Sequence, residues 1–378
     1  MLYELEPLDN FFFRTSTPFE AGGETTVLHS CFPPLPSAYA GAFGALLEPE
    51  SQPRARRIKI GFNGLIIDDT YYFPMPLDVA EKELVDENLW SASLKSLEKA
   101  PLSSYPLPYM LRSVTSQKDK SKKILYLSEK SISNYLEGEE NLDCLNIASC
   151  FVQEKKLGIE VDADSKTSKN GRIYEISYIR PTINSKLKLG VDVTAQLKHD
   201  SGVLKLGGEN RQVAYRFAAH PLNIEKVNSQ GNFFKLYLAT PAIFANGWFP
   251  GWIDENEKTG YYSNKGKRVT VRLIAACVGR SVPCGSFGFG KELGESIRTY
   301  RPREMRYAVP AGSVYYFELL EGTFADAVKL FHGNCISDYR EGLGFRYRML
   351  ARLRYCDRGF GYALVGKIGK NQEEVFHV

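Results

Sequence analysis

The glycine-rich segment GSFGFGKE, residues 285–292, has the residue types of a phosphate-binding loop. It satisfies the spacing G-x-x-x-x-G-K, in which backbone amides and a lysine hold phosphate oxygens. Glu292 stands where a serine or threonine must coordinate magnesium, so the segment does not predict nucleotide hydrolysis. It predicts a flexible loop whose amides, together with Phe287, Phe289 and Lys291, contact a backbone phosphate or a base. A surface turn is an equally good interpretation of these residues alone.

Catalytic patterns are scarce elsewhere in the chain. The five histidines show neither an HExxH motif nor a paired spacing, and no G-x-S-x-G motif is present. His29 is the one candidate for a general base, because attack by an RNA 2′-hydroxyl needs only positioned acid–base groups. A single histidine is more often a capping or packing residue, and we favour that interpretation. We therefore predict no catalytic residue.

The cysteines do not form a metal-binding pattern. There are seven of them without a CxxC pair. Cys144 and Cys150 are six residues apart and Cys277 and Cys284 seven apart, with no histidine near these pairs at ligand spacing. Because zinc sites need paired ligands at short intervals, we interpret them as reduced, mostly buried thiols. We predict no metal and no cofactor.

The basic residues are unevenly distributed. The formal net charge of +4 is too small to establish a nucleic-acid partner. Residues 265–306, however, contain ten lysines and arginines against three glutamates, and residues 340–358 interleave arginine with tyrosine and phenylalanine. A charge run is usually a solvated face. Two such runs with aromatic residues and glycines favour an anionic partner.

Two features of the sequence concern membranes and export. No apolar run approaches membrane-spanning length, and the first ten residues, MLYELEPLDN, are acidic where a signal peptide is basic. We therefore expect a cytoplasmic protein with no membrane partner.

Composition and patterning predict an α+β fold. The chain has 378 residues, of which 43% are hydrophobic, with 22 Tyr, 22 Phe, 32 Gly and 19 Pro, which excludes a disordered, collagenous or coiled-coil chain. The alternation of apolar residues predicts a hairpin over residues 157–179 that turns at Asn170-Gly171. Further strands are expected over residues 2–8, 233–238, 269–277, 313–320, 345–355 and 361–368, and another follows GGENR within residues 203–217.

Helices are expected at three places, and a polar stretch divides the chain. The helices are residues 38–48 with Ser37 as the cap, residues 80–99, and residues 323–331 with Thr323 as the cap. The polar stretch, residues 221–232, separates a domain over residues 1–222 from one over residues 230–378. Strands broken by a few short helices in each half indicate α+β domains built on antiparallel sheets.

Several motifs occur together in a specific order. They are LEPLDNFFFRTSTPFEAGG, FPPLPSAYAGAFGALL, the hairpin sequence, LGGENR, VGRSVPCGSFGF and YRPREMRYAVPAGSVYYFE. In this order they resemble the third-subunit family of the Cmr-type (type III-B) CRISPR effector complex, within the RAMP superfamily. The resemblance covers essentially the whole chain, and EGLGFR at residues 341–346 fits the superfamily's carboxy-terminal glycine loop.

The resemblance implies a fold, a function and partners. The fold is two ferredoxin-like (RNA-recognition-type) domains with long loop and hairpin insertions. The function is to hold the 5′ tag of the guide (CRISPR) RNA, without nuclease activity, while docking on the large polymerase-like subunit and the backbone RAMP subunits. The alternative is a metal-independent guide-RNA-processing endoribonuclease of the same superfamily, with His29 as its acid–base group.

The predicted RNA-binding residues follow from the resemblance and from the basic glycine segments. Phosphates are best held by arginine, lysine and backbone amides, and bases by aromatic stacking. One departure from the family is that Arg14 is followed by Thr-Ser-Thr instead of a Gly-Arg turn. Glu209 is expected to orient Arg211, and the alternative is that the arginines pair with acidic residues or with a neighbouring subunit. The predicted contacts are Arg14, Ser37, Gly207, Gly208, Arg211, Phe287, Gly288, Gly290, Lys291, Arg301, Arg303, Gly342, Gly344 and Arg346.

Overall fold

A computed structural model of the chain describes twelve ranges of residues. They are 1–14, 27–47, 58–86, 88–101, 105–112, 123–195, 197–264, 266–285, 287–290, 299–302, 305–338 and 354–376.

Nearly half of the described residues are in β-strands. In the first part of the chain the strands are β1 Leu2–Pro7, β2 Val27–Leu28, β3 Ile60–Ile67, β4 Thr70–Pro74, β5 Val79–Asp86, β6 Leu89–Leu94, β7 Ser96–Lys99, β8 Tyr109–Arg112, β9 Leu125–Ser128, β10 Asn141–Asn146, β11 Phe151–Val161, β12 Ser168–Pro181, β13 Lys188–Val193, β14 Gly202–Lys205 and β15 Gln212–Phe217. In the second part they are β16 Phe233–Leu238, β17 Thr259–Asn264, β18 Lys267–Cys277, β19 Val282–Cys284, β20 Phe287–Gly290, β21 Thr299–Pro302, β22 Arg306–Ala308, β23 Val314–Glu321, β24 Asn334–Cys335 and β25 Tyr362–Gly366.

Helices are few and short in these ranges. The α-helices are α1 Pro36–Leu46, α2 Glu129–Glu137, α3 Phe324–Phe331 and α4 Lys370–Glu373. Single 3₁₀ turns occur at Ile147–Cys150, Tyr355–Asp357 and Glu374–Phe376. The mixture of many strands with few helices confirms the α+β class, whereas the ferredoxin-like description stays a prediction.

The described strands form two large sheets and several small ones. One sheet has the order β14-β15-β1-β13-β3-β4-β9-β10-β6-β5, and the other β17-β18-β23-β16-β25-β24. The small sheets are β11-β12-β2 and the ribbons β19-β22, β20-β21 and β7-β8. Neighbouring strands run antiparallel, as expected, except that β2 is parallel to β12.

Two hydrophobic clusters hold these layers together. Helix α1 packs Tyr39 and Phe43 against Tyr3 and Leu5 on one face of the larger sheet. The largest cluster combines residues from both parts of the chain, such as Phe73 with Phe234 and Phe317. Residues 218–232 form neither strand nor helix. The division into residues 1–222 and 230–378 stays a prediction.

Strands and capped helices with local signals lie where the sequence predicts them. The strands at residues 2–8, 233–238, 269–277, 313–320 and 361–368 are confirmed as β1, β16, β18, β23 and β25. Helix α3 begins after Thr323, whose side chain accepts the Asp326 amide at 3.2 Å. The predicted strand over residues 345–355 lies outside the described residues up to 353, and Tyr355 itself begins a 3₁₀ turn.

The helix predicted over residues 80–99 is wrong, because this segment forms β5, β6 and β7. Its Ala, Glu, Lys and Leu content favours a helix, but β6 pairs along its length with β10, from Asn141 opposite Ser93 to Leu145 opposite Leu89. Val79, Ala92 and Leu97 thereby enter the main core. Tertiary pairing overrides a weak intrinsic propensity here.

The hairpin is confirmed, but its turn is not at Asn170-Gly171, which lie within β12. The chain reverses at Asp162–Thr167, where the Asp162 carboxylate accepts the amides of Asp164 at 3.1 Å and Ser165 at 2.9 Å. Aspartate commonly forms such a turn by binding the backbone two residues on. The residues that specify the turn are therefore DADSKT, residues 162–167, and not Asn170-Gly171.

Candidate nucleic-acid interface

The segment Phe11–Arg14 joins three predicted elements. The amide and carbonyl of Phe11 pair with Ile179 of β12 at 2.8 and 2.9 Å, and the Phe12 carbonyl accepts the Gly208 amide at 2.8 Å. All three phenylalanines are buried, whereas Arg14 at the end of the segment is exposed. The segment thus connects the hairpin and the GGENR turn to an arginine at the surface.

The same segment is attached to the chain that leads into α1. The Phe13 amide donates to Ser30 Oγ at 3.0 Å, and the Phe13 carbonyl accepts the Cys31 amide at 2.8 Å. Arg14 and Ser30 form an isolated antiparallel bridge. The exposed His29, next to Ser30 in the chain, therefore lies on the same edge as Arg14.

The glycines of GGENR are required for close packing. Gly207 has φ +91°, and a Cβ at this position would lie 2.2 Å from the Phe12 carbonyl oxygen. Glu209 and Asn210, which follow Gly208, also have positive φ, and the Arg211 amide donates to the Gly208 carbonyl at 3.1 Å. The turn is thus built for contact with Phe12, and the Gly208 amide is already engaged there. Gly207 itself is exposed.

We expect Gly207→Ala to destabilise the protein by about 2–3 kcal/mol, because alanine disfavours positive φ and its methyl group would displace the Phe12 backbone. Denaturant unfolding of the purified protein measures the loss. Gly41→Ala is the matched control, since a Cβ there has open space on a helix. Equal stability of the two variants would contradict this account of the turn.

Arg211 is held inside the fold. Its guanidinium pairs with Asp9 and lies 4.4 Å from the centroid of the Tyr178 ring, and its side chain is 19% exposed. The expectation that Glu209 orients Arg211 is wrong, because the Asp9 carboxylate does so. The alternative in which the arginine pairs with an acidic residue therefore describes its contacts. Lys156 Nζ, 5.3 Å from the same ring, adds a second cation to this surface.

Ser37 does not cap α1. The helix begins one residue earlier, at Pro36, with Leu35 in the N-cap position and without a side-chain cap. Proline is well suited to the first helical position because its missing N–H would have no partner there. Ser37 is half-buried in the first turn.

The glycine segment of the second half forms a strand and not a flexible loop. Phe287–Gly290 is β20, and it pairs with β21 so that Gly288 lies opposite Arg301 and Phe287 opposite Pro302. The backbone thus brings Phe287, Gly288, Gly290 and Arg301 together in one ribbon. Lys291, Arg303, Gly342, Gly344 and Arg346 lie outside the described residues.

Part of the basic run at residues 265–306 has structural partners. Lys267 pairs with Asp326 at 3.3 Å, and Arg272 with Glu318 at 3.0 Å. The guanidinium of Arg268 lies 4.4 Å from the centroid of the Tyr261 ring. For these residues the interpretation as a solvated, internally paired face holds.

Sequence reasoning missed an open cavity of about 470 Å³ that lies between Tyr105, Trp248 and Tyr307. More than fifty residues of sequence separate each of these rings from the next, and no local pattern links them. Only the folded chain brings them together.

Two features of the described ranges concern metals and membranes. No group of three or more His, Cys, Asp or Glu residues there could hold a metal ion. None of the helices described is long and apolar enough to cross a membrane. All seven cysteines are free, with Cys144, Cys150 and Cys284 buried and the other four partly buried.

Comparison with known proteins identifies the family. A family model described as CRISPR-associated protein (Cas_Cmr3) matches residues 3–367. The chain belongs to this family. The family resemblance indicated by the order of the motifs is thereby confirmed. No curated protein matches the chain.

Two solved structures have chains with a related shape. One is a cryo-EM structure of the Type III-B Cmr-beta bound to cognate target RNA, with 14% identity, coverage of 95% of both chains and a TM-score of 0.49. The other is the same kind of complex bound to cognate target RNA and AMPPnP, with 14% identity, coverage of 84% of this chain and 86% of that chain, and a TM-score of 0.48.

Proposed function

We propose that this protein is a non-catalytic RNA-binding subunit of a type III-B CRISPR effector complex. It holds the 5′ tag of the guide RNA and docks on the large polymerase-like subunit and the backbone RAMP subunits, using two ferredoxin-like domains. The observation that carries this proposal is the match of the Cas_Cmr3 family model to residues 3–367.

The geometry supports two RNA-contacting regions. The first is the exposed Arg14 at the end of the Phe11–Arg14 segment, whose backbone is anchored through Phe13 to Ser30 and Cys31. The second is the β20-β21 ribbon, which sets Arg301 opposite Gly288. An arginine beside closely packed backbone is suited to binding single-stranded RNA, because its charge holds the phosphates. The bases are then recognised by other groups.

Arg14→Gln is expected to weaken guide-RNA binding by the reconstituted complex and to reduce its salt dependence. Losing one phosphate contact lowers the slope of log affinity against log salt by about 0.7 for a single strand. The loss of affinity is about 1–3 kcal/mol if the arginine also contacts a base, and less if it contacts phosphate alone. Filter binding across a salt series measures both quantities.

Arg112→Gln is the matched control for this experiment. Arg112 lies on β8, is 71% exposed and pairs with Glu98 at 3.5 Å. This variant should leave the affinity and the slope unchanged. If Arg14→Gln behaves identically to it, the RNA does not pass along the Phe11–Arg14 edge.

The purified protein is expected not to cleave repeat RNA in EDTA. The superfamily alternative needs no metal, so EDTA leaves such cleavage intact while suppressing contaminating metal-dependent nucleases. Gel analysis of labelled RNA with wild type and His29→Ala decides between the two functions. Cleavage by wild type that disappears in His29→Ala would replace the binding role with the endoribonuclease role.

A further inference from the structure

The cavity between Tyr105, Trp248 and Tyr307 has the size and lining of a small-ligand site. Its volume of about 470 Å³ lies within the range of pockets that take small molecules. The wall also includes Ala276, Val278 and Ser281, and none of its lining residues is charged. A ligand that fills this cavity must therefore have largely flat or apolar faces, with its polar groups at its edges.

The aromatic rings are attached to backbone from different elements. The Tyr105 hydroxyl donates to the Ala276 carbonyl at the end of β18, at 3.3 Å. The Trp248 carbonyl accepts the Tyr315 hydroxyl of β23 at 2.7 Å. Tyr307 lies on β22, paired with Pro283 of β19, and is 64% exposed. The walls are thus held in place before a ligand enters, which reduces the entropy lost on binding.

A basic residue lies in the chain between two residues that line the cavity. Arg280, between Gly279 and Ser281, is exposed, and no carboxylate in the described part of the chain forms an ion pair with it. A ligand with a planar ring and an adjacent negative charge matches this arrangement.

We propose that the cavity takes one unstacked nucleobase of the bound RNA, stacked against Tyr307 and Trp248, with Arg280 at the phosphate beside it. This inference rests on the proposed RNA-binding function and adds to it a base-reading site. Ring stacking accepts any base, whereas the Ser281 hydroxyl and the backbone groups of the wall supply hydrogen bonds to its edge. The exposed Arg280, next to the lining residues Gly279 and Ser281, favours RNA over an apolar side chain of a partner protein.

The test uses guide RNA carrying 2-aminopurine at one position at a time, in the reconstituted complex. We expect one position to lose its fluorescence strongly on binding, because stacking on an aromatic side chain quenches the base. Tyr307→Ala should restore that signal and weaken RNA binding about 5- to 100-fold, the range of one base stacked on an aromatic ring. Tyr307→Phe should retain both the quenching and the affinity.

Two further variants complete the test. Tyr261→Ala removes another exposed tyrosine, 56% accessible on β17, and should leave the fluorescence pattern unchanged. Arg280→Gln should reduce the salt dependence of binding while the quenched position stays the same.

The outcomes separate this inference from the proposed function. If the complex binds RNA but Tyr307→Ala changes neither the quenching nor the affinity, the base site is refuted and the RNA-binding function stands. If Tyr307→Ala instead weakens association with the other subunits while the quenching pattern persists in the complex that still forms, the occupant is a protein side chain. If the wild-type complex does not bind guide RNA, both proposals fail.

Discussion

Asp78→Ala is expected to lower the free energy of unfolding by about 3–5 kcal/mol, the cost of removing one partner from a buried charged network. Asp78 is completely buried, and its carboxylate accepts the hydroxyl of Tyr135 at 2.9 Å and that of Tyr316 at 2.6 Å. Alanine leaves the Tyr135 hydroxyl without its acceptor inside the core, and leaves the Tyr316 hydroxyl only Gln372 Oε1 at 3.3 Å. Each buried donor left unpaired costs about 1–3 kcal/mol.

The network also connects the two parts of the chain. Asp78 lies just before β5 and Tyr135 on α2, whereas Tyr316 lies on β23. Burial, the larger cause, and the Asp78 carboxylate, the second, raise the pKa of both tyrosines well above 10. Both hydroxyls therefore remain donors at physiological pH. Loss of Asp78 should therefore loosen the packing between α2 and β23.

Denaturant unfolding of the purified protein measures this effect, with Asp164→Ala as the control. Asp164 is an exposed residue of the turn between β11 and β12, where a substitution is expected to change stability by about 0.5 kcal/mol or less. A loss in Asp78→Ala no greater than that of the control would show that the network does not stabilise the fold.

Lys235→Met is expected to stabilise the protein at neutral pH by up to about 3 kcal/mol, the equivalent of the lysine's pKa shift. Lys235 is fully buried on β16, with Nζ 3.6 Å from the centroid of the Tyr135 ring. Among the described residues its ammonium has no hydrogen-bond acceptor. Burial lowers the pKa from 10.5 to about 8, against the opposing effect of the Asp78 carboxylate. Methionine keeps the length of the side chain without the buried charge.

The pH dependence of this effect has a definite sign. Between about pH 8 and 10.5 the unfolded lysine binds a proton that the folded lysine has released, so wild-type stability rises with pH across this window. The advantage of Lys235→Met is therefore largest below about pH 8 and decreases towards 10.5.

Unfolding midpoints of wild type and Lys235→Met at neutral and alkaline pH give the measurement. Lys329→Met, at an exposed position of α3, controls for the change of residue type. An advantage that is independent of pH would mean that packing, and not the buried charge, accounts for the difference.

Local signals in the sequence determined the elements that the structure confirms. Short runs rich in apolar and aromatic residues specify β1, β16, β18 and β23, because such strands are stable when most of their side chains are buried. Thr323 specifies the start of α3 through a hydrogen bond three residues along the chain. The order of the motifs likewise identified the family without any knowledge of contacts.

Contacts between distant residues were decided only by the tertiary structure. Residues 80–99 have the composition of a helix and became strands because β10 pairs with them. The sequence suggests Glu209 as the partner of Arg211, but the fold places Asp9 and Tyr178 against its guanidinium. The buried contacts of Asp78 with Tyr316, and the cavity between Tyr105 and Tyr307, join residues about two hundred positions apart. The free energy of such contacts depends on which surfaces pack together, and this information is absent from any local window of the sequence.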